Sequence, residues 1–241
     1  MSALEGEKIV RADPQELAAC AADWIAGRIA QSDDEEFRIA LSGGNTPRDL
    51  YRRLGGEPFA SRIDWDKTVL FWGDERFVPA TDPRSNFGMV HRLLLSHVRI
   101  PAQNIKPMPT DGEPGDAARS YEADLKNEYG AGVFDPARPL FDLMLLGLGE
   151  DGHTCSLFPN SPVLAERTLW VAPVLSGAPE PRLTLTYPAI ESSAHIAFLV
   201  TGRAKAPVVA RVREGDLSLP AARIRPQGEV IWLLDSAAAG G

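Results

Sequence analysis

Phe141–Pro159, FDLMLLGLGEDGHTCSLFP, is the stretch whose reading decides the fold. Phe141 to Leu146 is an apolar run with almost no polar interruption, the pattern of a central parallel strand covered on both faces. Gly147, Gly149 and Gly152 follow at once and allow positive φ and close backbone approach, which predicts a sharp turn. That turn delivers Asp151 and His153 at the carboxyl end of the strand, where open α/β sheets place their ligands. A histidine there can be a satisfied core residue. Beside an aspartate in a glycine loop it is the better candidate for a general base, because imidazole transfers protons near neutral pH.

Gly147-x-Gly149-x-x-Gly152 also matches the dinucleotide-binding fingerprint. A dinucleotide site needs a long helix after the glycines and an acid about 20 residues on. Here Phe158-Pro159-Asn160-Ser161-Pro162 stops a helix early, and the next strand candidate, Leu169 to Val174, ends in Leu175-Ser176-Gly177. The fingerprint is therefore set aside. His153-Thr154-Cys155 offers a nucleophilic cysteine or two metal ligands only if further partners exist, and the sequence supplies none.

Outward from this stretch the chain alternates strands with helices. Lys8 to Arg11 reads as a strand and Asp13-Pro14 as the start of a helix to about Ile29. Phe37 to Leu41 is a strand that runs into Ser42-Gly43-Gly44-Asn45-Thr46-Pro47 and a helix to about Leu54. This turn reads equally as a phosphate site, with glycine amides and the Ser42 and Thr46 hydroxyls, or as a plain strand-to-helix turn with Thr46 as N-cap. Thr68 to Trp72 is a strand ending in Gly73-Asp74-Glu75-Arg76, and Asp82 to Asn86 caps a helix to about Leu95. A short extended piece is expected near Ile105, a helix over Asp116 to Tyr129, and strands over Leu169 to Val174, Arg182 to Thr186, His195 to Val200 and Val230 to Leu234. Lys205 opens a helix to about Glu214. A cation there opposes the helix dipole and hints at a ligand anion. Ala237 to Gly241 reads as a frayed tail.

The predicted architecture is a single α/β domain over residues 1–241, a doubly wound and mostly parallel sheet flanked by helices, whose strand-end turns converge on one crevice. With 44% apolar and 24% charged residues the chain has ordinary globular composition. No apolar run reaches membrane-spanning length, and MSALEGEKIVRAD lacks a signal-peptide pattern, so a cytoplasmic protein with no membrane partner is expected. A net charge of −8 disfavours nucleic acid. Cys20 and Cys155 lie far apart without metal-ligand spacing, and His91 and His97 lack the spacing of a metal pair. Neither G-x-S-x-G, H-E-x-x-H nor GK[ST] occurs, which removes the commonest serine hydrolase, zincin and nucleotide triphosphatase readings.

Three ordered motifs carry a resemblance. LSGGNTP at Leu41 to Pro47, FWGDERFVP at Phe71 to Pro79 with SNFGM at Ser85 to Met89, and GLGEDGHTCSLFP at Gly147 to Pro159 resemble the 6-phosphogluconolactonase family over most of the chain. The resemblance implies the glucosamine-6-phosphate and ribose-5-phosphate isomerase type of α/β fold. It also implies hydrolysis of 6-phospho-D-glucono-1,5-lactone in the oxidative pentose phosphate pathway, with no metal and no organic cofactor. By the same resemblance His153 activates water, Asp151 orients it, and Arg76 with Asp74 nearby attends the lactone. Ser42, Gly43, Gly44 and Thr46, with Lys205 and Arg84 or Arg182, hold the substrate or its phosphate. A sugar-phosphate lactone is the expected partner and a monomer the expected state. A sister deaminase resembles this loop but continues to Asn-Glu-Pro, whereas Phe158 stands here at the Glu position. A sugar-phosphate sensor on the same fold would carry a DNA-binding segment, which this acidic chain does not suggest.

Overall fold

The computed structural model describes residues 4–241. The signal-peptide reading draws partly on Met1–Ala3, which lie outside the described residues. The first half of the chain runs β1 (Glu7–Arg11), α1 (Pro14–Gln31), β2 (Phe37–Leu41), α2 (Arg48–Leu54), α3 (Phe59–Arg62), β3 (Thr68–Trp72), β4 (Asp74–Arg76), α4 (Asn86–Leu93), β5 (Ile105–Lys106) and α5 (Pro114–Tyr129). It continues with β6 (Phe141–Leu146), β7 (Val171–Val174), β8 (Arg182–Leu185), α6 (Tyr187–Glu191), β9 (Ser193–Val200), α7 (Ala206–Arg213) and β10 (Glu229–Asp235).

A seven-stranded sheet has the order β1-β10-β9-β6-β2-β3-β5, and its pairs are parallel. β6 stands at its middle, as its apolar run predicts, with Leu143 to Leu146 buried. From β2 the chain winds outward through β3 to β5, then returns on the other side of β2 to lay down β6, β9 and β10. The adjacent strands β2 and β6 therefore flank a switch point, and a crevice opens beyond their carboxyl ends. Ser42 follows the one and Gly147 the other.

Local chemistry sets the element ends. The Asp13 carboxylate accepts from the Gln15 and Glu16 amides at 2.8 and 2.9 Å, with Pro14 in the first turn, so α1 starts where the sequence says. Its Ile25 and Ile29 share an apolar pocket with Leu54, Leu94 and the sheet residues Ile39, Leu41, Leu70 and Leu145. Ser85 caps α4 by accepting from the Gly88 amide at 3.0 Å.

Four expectations change. Asp74 to Arg76 is not a bare turn. It is strand β4, which pairs antiparallel with β8 in a three-stranded sheet ordered β4-β8-β7. The strand expected over Leu169 to Val174 is β7 of this second sheet, spanning Val171–Val174. Thr46 is not the N-cap of α2. Pro47 takes that position, without a side-chain capping bond. A 3-10 turn over Arg203–Lys205 precedes α7, so Lys205 sits at the helix boundary rather than in its first turn. The last residues are not frayed: Ala238 is buried and its amide donates to the Asp235 carboxylate at 2.7 Å, while the Ser236 amide donates to the Arg11 carbonyl at 2.7 Å. Asp235 earns that role by also accepting the Gly202 amide at 3.0 Å.

Candidate active site

The crevice between the ends of β2 and β6 is a cleft of about 320 Å³. Ser42, Gly43, Gly44, Thr46, Asp74, Arg76, His153, Arg182 and Lys205 line it, so most of the residues singled out in sequence meet in one place. Asp151 touches His153 but is not on the lining. Arg84 lies outside it, its guanidinium held by Asp82 at 2.7 Å and by Glu180 at 3.5 Å.

The glycine loop after β6 is built to present one imidazole. Gly152, at φ +80°, turns the chain, and its amide donates to the Gly149 carbonyl at 3.0 Å. The Gly149 amide in turn donates to the His153 carbonyl at 2.8 Å, closing the loop on itself. The Asp151 carboxylate accepts from the His153 amide at 3.1 Å and lies 2.6 Å from its Nδ1. With Nδ1–H donating to Asp151, the neutral ring keeps Nε2 unprotonated, as a base requires. Burial raises the Asp151 carboxyl, but the bonds from the His153 amide and ring outweigh it and hold the group below its ordinary value. The His153 ring packs on Phe158 with centroids 4.8 Å apart, and its side chain is 33% exposed, open to the cleft yet fixed in place. A Cβ at 149 would lie 2.2 Å from the His153 ring, so any larger residue there must displace the imidazole.

Asp74 is the hub of the opposite wall. Its Oδ2 accepts from the Ser156 hydroxyl at 2.7 Å and its Oδ1 from the Asn86 amide nitrogen at 3.2 Å, while Arg182 stands 3.9 Å away. Asn86 also donates to the Asp74 carbonyl at 2.9 Å and fills the space beside Gly43, where a Cβ would lie 2.2 Å from it. Glu75, on the other side of β4, accepts the amides of Arg76, Asn86 and Phe87, each at 2.7 Å, and ties β4 to the start of α4. Burial raises its carboxyl above the ordinary range. Asn86, Ser156 and Glu180 carry no site role in the sequence analysis. Asn86 and Ser156 stood inside the quoted motifs, but which side chains cross from one strand end to another is a tertiary matter.

Two arginines bring positive charge into the cleft. Arg76 donates from Nη1 to the Arg84 carbonyl at 2.8 Å, and Arg182 pairs with Glu180 at 2.8 Å. Burial lowers the Arg182 guanidinium from its ordinary value and the neighbouring Arg76 charge adds to this, yet guanidinium stays cationic. Among the described residues the Nε groups of Arg76 and Arg182 are buried with no hydrogen-bond partner. Arg38, Trp72 and Arg213, away from the cleft, carry the same kind of unpartnered buried nitrogen, so these two do not by themselves mark a ligand. Gly44, at φ +87°, has nothing within 4 Å of where a Cβ would lie, so the Ser42–Thr46 backbone is open to an anion. Lys205 stands on the same lining without an ion-pair partner among the described residues. Cys155 also lines the cleft, but burial pushes its thiol well above the ordinary value and leaves it a poor nucleophile. Among the described residues no group of His, Cys, Asp and Glu is arranged to hold a metal ion, and no helix is long and apolar enough to cross a membrane.

Comparison with known proteins agrees with this geometry. The family described as Glucosamine-6-phosphate isomerases/6-phosphogluconolactonase matches residues 12–232. A 6-phosphogluconolactonase of Synechocystis sp. is 44% identical over 227 residues, covering 91% of this chain and 89% of its own. One of Nostoc sp. is 40% identical over 234 residues, covering 94% of each chain. The structure of a 6-phosphogluconolactonase from Trypanosoma cruzi superposes with a TM-score of 0.87 at 30% identity, over 100% of this chain and 98% of the other. The chain thus belongs to the glucosamine-6-phosphate isomerase/6-phosphogluconolactonase family, as an enzyme of its 6-phosphogluconolactonase branch.

Proposed function

We propose that this enzyme hydrolyses 6-phospho-D-glucono-1,5-lactone to 6-phospho-D-gluconate in the cytoplasmic oxidative pentose phosphate pathway, with His153 as general base. The observation that carries the reading is the Asp151–His153 pair, whose imidazole lines the same cleft as the guanidinium groups of Arg76 and Arg182.

Neutral His153 takes a proton from water through Nε2 as the water oxygen bonds to the lactone carbonyl carbon. The carbonyl π electrons move onto oxygen, and the resulting oxyanion is met by the fixed guanidinium charge of Arg76 or Arg182. When the tetrahedral intermediate collapses, the bond to the ring oxygen breaks and His153 returns its proton to that oxygen, giving a hydroxyl and a carboxylic acid. Asp151 supports the imidazolium that exists between these steps. Asp74 acts on the arrangement of the cleft, since both its oxygens are already occupied by Asn86 and Ser156. The substrate phosphate rests on Ser42 to Thr46 with Lys205, leaving the arginines for the lactone end.

The test is a direct assay of the purified protein on 6-phosphogluconolactone and on glucosamine 6-phosphate. Lactone hydrolysis far above the spontaneous rate, without ammonia or fructose 6-phosphate from the amino sugar, is expected. Deamination with no enzymatic lactone hydrolysis would sink the proposal.

A further inference from the structure

As the proposed base, His153 must keep Nδ1 on Asp151 and leave Nε2 available to water. One hydrogen bond to a carboxylate whose side chain is 50% exposed does not secure this. The second torsion of a histidine side chain has only a broad preference, so the ring turns unless something packs against it. Phe158 supplies that packing, with ring centroids 4.8 Å apart and planes inclined by 52°.

The chain is folded back to bring Phe158 there. Cys155 lies at φ +48°, a conformation that a non-glycine residue keeps only where its surroundings over-determine it. Here they do. The Thr154 hydroxyl donates to the Gly147 carbonyl at 2.8 Å, and the Ser156 hydroxyl donates to the Asp74 carboxylate at 2.7 Å. The Leu157 amide donates back to the Thr154 carbonyl at 3.0 Å, and the Leu157 side chain is fully buried. Phe158 therefore leaves this turn from a fixed point.

The Phe158 ring is held in its turn. A Cβ on Gly177 would lie 3.2 Å from its Cδ2, so the loop between β7 and β8 closes on it. The Arg182 guanidinium carbon lies 5.9 Å from its centroid, within cation–π reach. One half-buried side chain thus touches both the base and an arginine of the cleft.

We infer that Phe158 is a positioning residue for the reaction, its ring holding the imidazole in the orientation that keeps Nδ1 on Asp151 and Nε2 free. The inference rests on His153 being the base.

The test combines kinetics on 6-phosphogluconolactone with ¹⁵N NMR of the ring nitrogens at a pH where the imidazole is neutral. The His153 signals are assigned by their absence in His153→Ala. Wild type should show one tautomer, protonated at Nδ1. Phe158→Leu keeps apolar bulk without a ring and should give mixed tautomers. Misplacing a catalytic group by about 1 Å can cost about 10²-fold, so kcat should fall about tenfold or more while KM moves less than about threefold. Phe158→Tyr restores the ring and should recover both the single tautomer and most of kcat. Melting curves verify each fold, and Phe158→Met is read in the same way if the leucine variant is unstable. Wild-type kcat in the ringless variant overturns the inference, as does a lower kcat with the tautomer unchanged or a tyrosine variant as slow as the leucine one. Wild-type kcat in His153→Ala would instead overturn the general-base reading, and this inference with it.

Discussion

The Asp151 carboxylate lies 2.6 Å from Nδ1 of His153, two residues away in the same loop, so one carboxylate holds both the ring and the amide of the residue it serves. Removing the base, by His153→Ala, should lower kcat/KM by about 10²–10⁴, down to a floor set by spontaneous lactone hydrolysis. Asp151→Asn should keep the ring but weaken its orientation and its support as imidazolium. A loss of about tenfold at least is expected, since an orienting carboxylate of this kind is worth up to about 10⁴ in the serine-protease triad. Near wild-type rates in either variant would make the pair structural.

The pH dependence follows from the same contact. His153 must be neutral to accept a proton, so acidifying should lower kcat/KM of the wild type and should have much less effect on the residual activity of His153→Ala. Burial raises the Asp151 carboxyl, but its bonds from His153 more than offset this and leave it lowered. A lowered acid favours the folded loop above its ordinary range, and that contribution fades only on acidifying through the lowered value. No second limb from Asp151 is therefore expected near neutrality. A loss of kcat/KM near neutral pH in the wild type that Asp151→Asn abolishes while His153→Ala keeps it would contradict this.

Gly149 and Gly43 answer for two different contacts. A Cβ at 149 would meet the His153 ring and Asp151, whereas one at 43 would meet the Asn86 side chain, at 2.2 Å in its closest approach in each case. Gly149→Ala should chiefly lower kcat by displacing the base. Gly43→Ala should disturb Asn86 and Asp74 and destabilise the fold by about 1–3 kcal/mol, the usual cost of overpacking. Melting curves beside kinetics separate the two, and equal effects on both readouts in both variants would refute the distinction.

The arginines should divide by location. Arg84 is held outside the cleft by Asp82 and Glu180, and only its backbone carbonyl touches Arg76. Arg84→Ala should therefore leave kcat/KM within about threefold of wild type, as surface ion pairs contribute little. Arg182→Ala removes a largely buried cation from beside Glu180 and Asp74 and should cost far more, in activity and in stability. A reversed order would move the phosphate or lactone contact to Arg84.

Lys205 separates binding of the phosphate from the chemistry. Losing one partner of a desolvated charge pair costs on the order of 2 kcal/mol or more, so Lys205→Ala should reduce kcat/KM on the phosphorylated lactone by well over tenfold. On unphosphorylated gluconolactone it should change little, while His153→Ala damages both reactions alike. An equal fractional loss on both substrates for Lys205→Ala would remove it from the phosphate subsite.

The sequence by itself determined what short-range rules encode. The apolar run of Phe141 to Leu146, the Asp13-Pro14 start of α1 and the glycines around His153 are local signals, and each lies where it was read. Alternating strands and helices also specified that the strand-end turns meet at a crevice, because parallel strands present the same ends to the same side. Tertiary structure decided the rest. β4 is three residues long and exists only because β8, more than a hundred positions away, pairs with it. A strand's edge partner leaves no local periodicity to read. The same holds for Ala238, buried by packing that its small-residue tail does not announce, and for Asp74. Its commitment to Asn86 and Ser156 depends on three chain segments arriving together. Which cation faces the cleft was likewise undecidable in one dimension. Arg84 and Arg182 have the same chemistry, and only the fold sends one to Asp82 on the surface and buries the other beside Asp74.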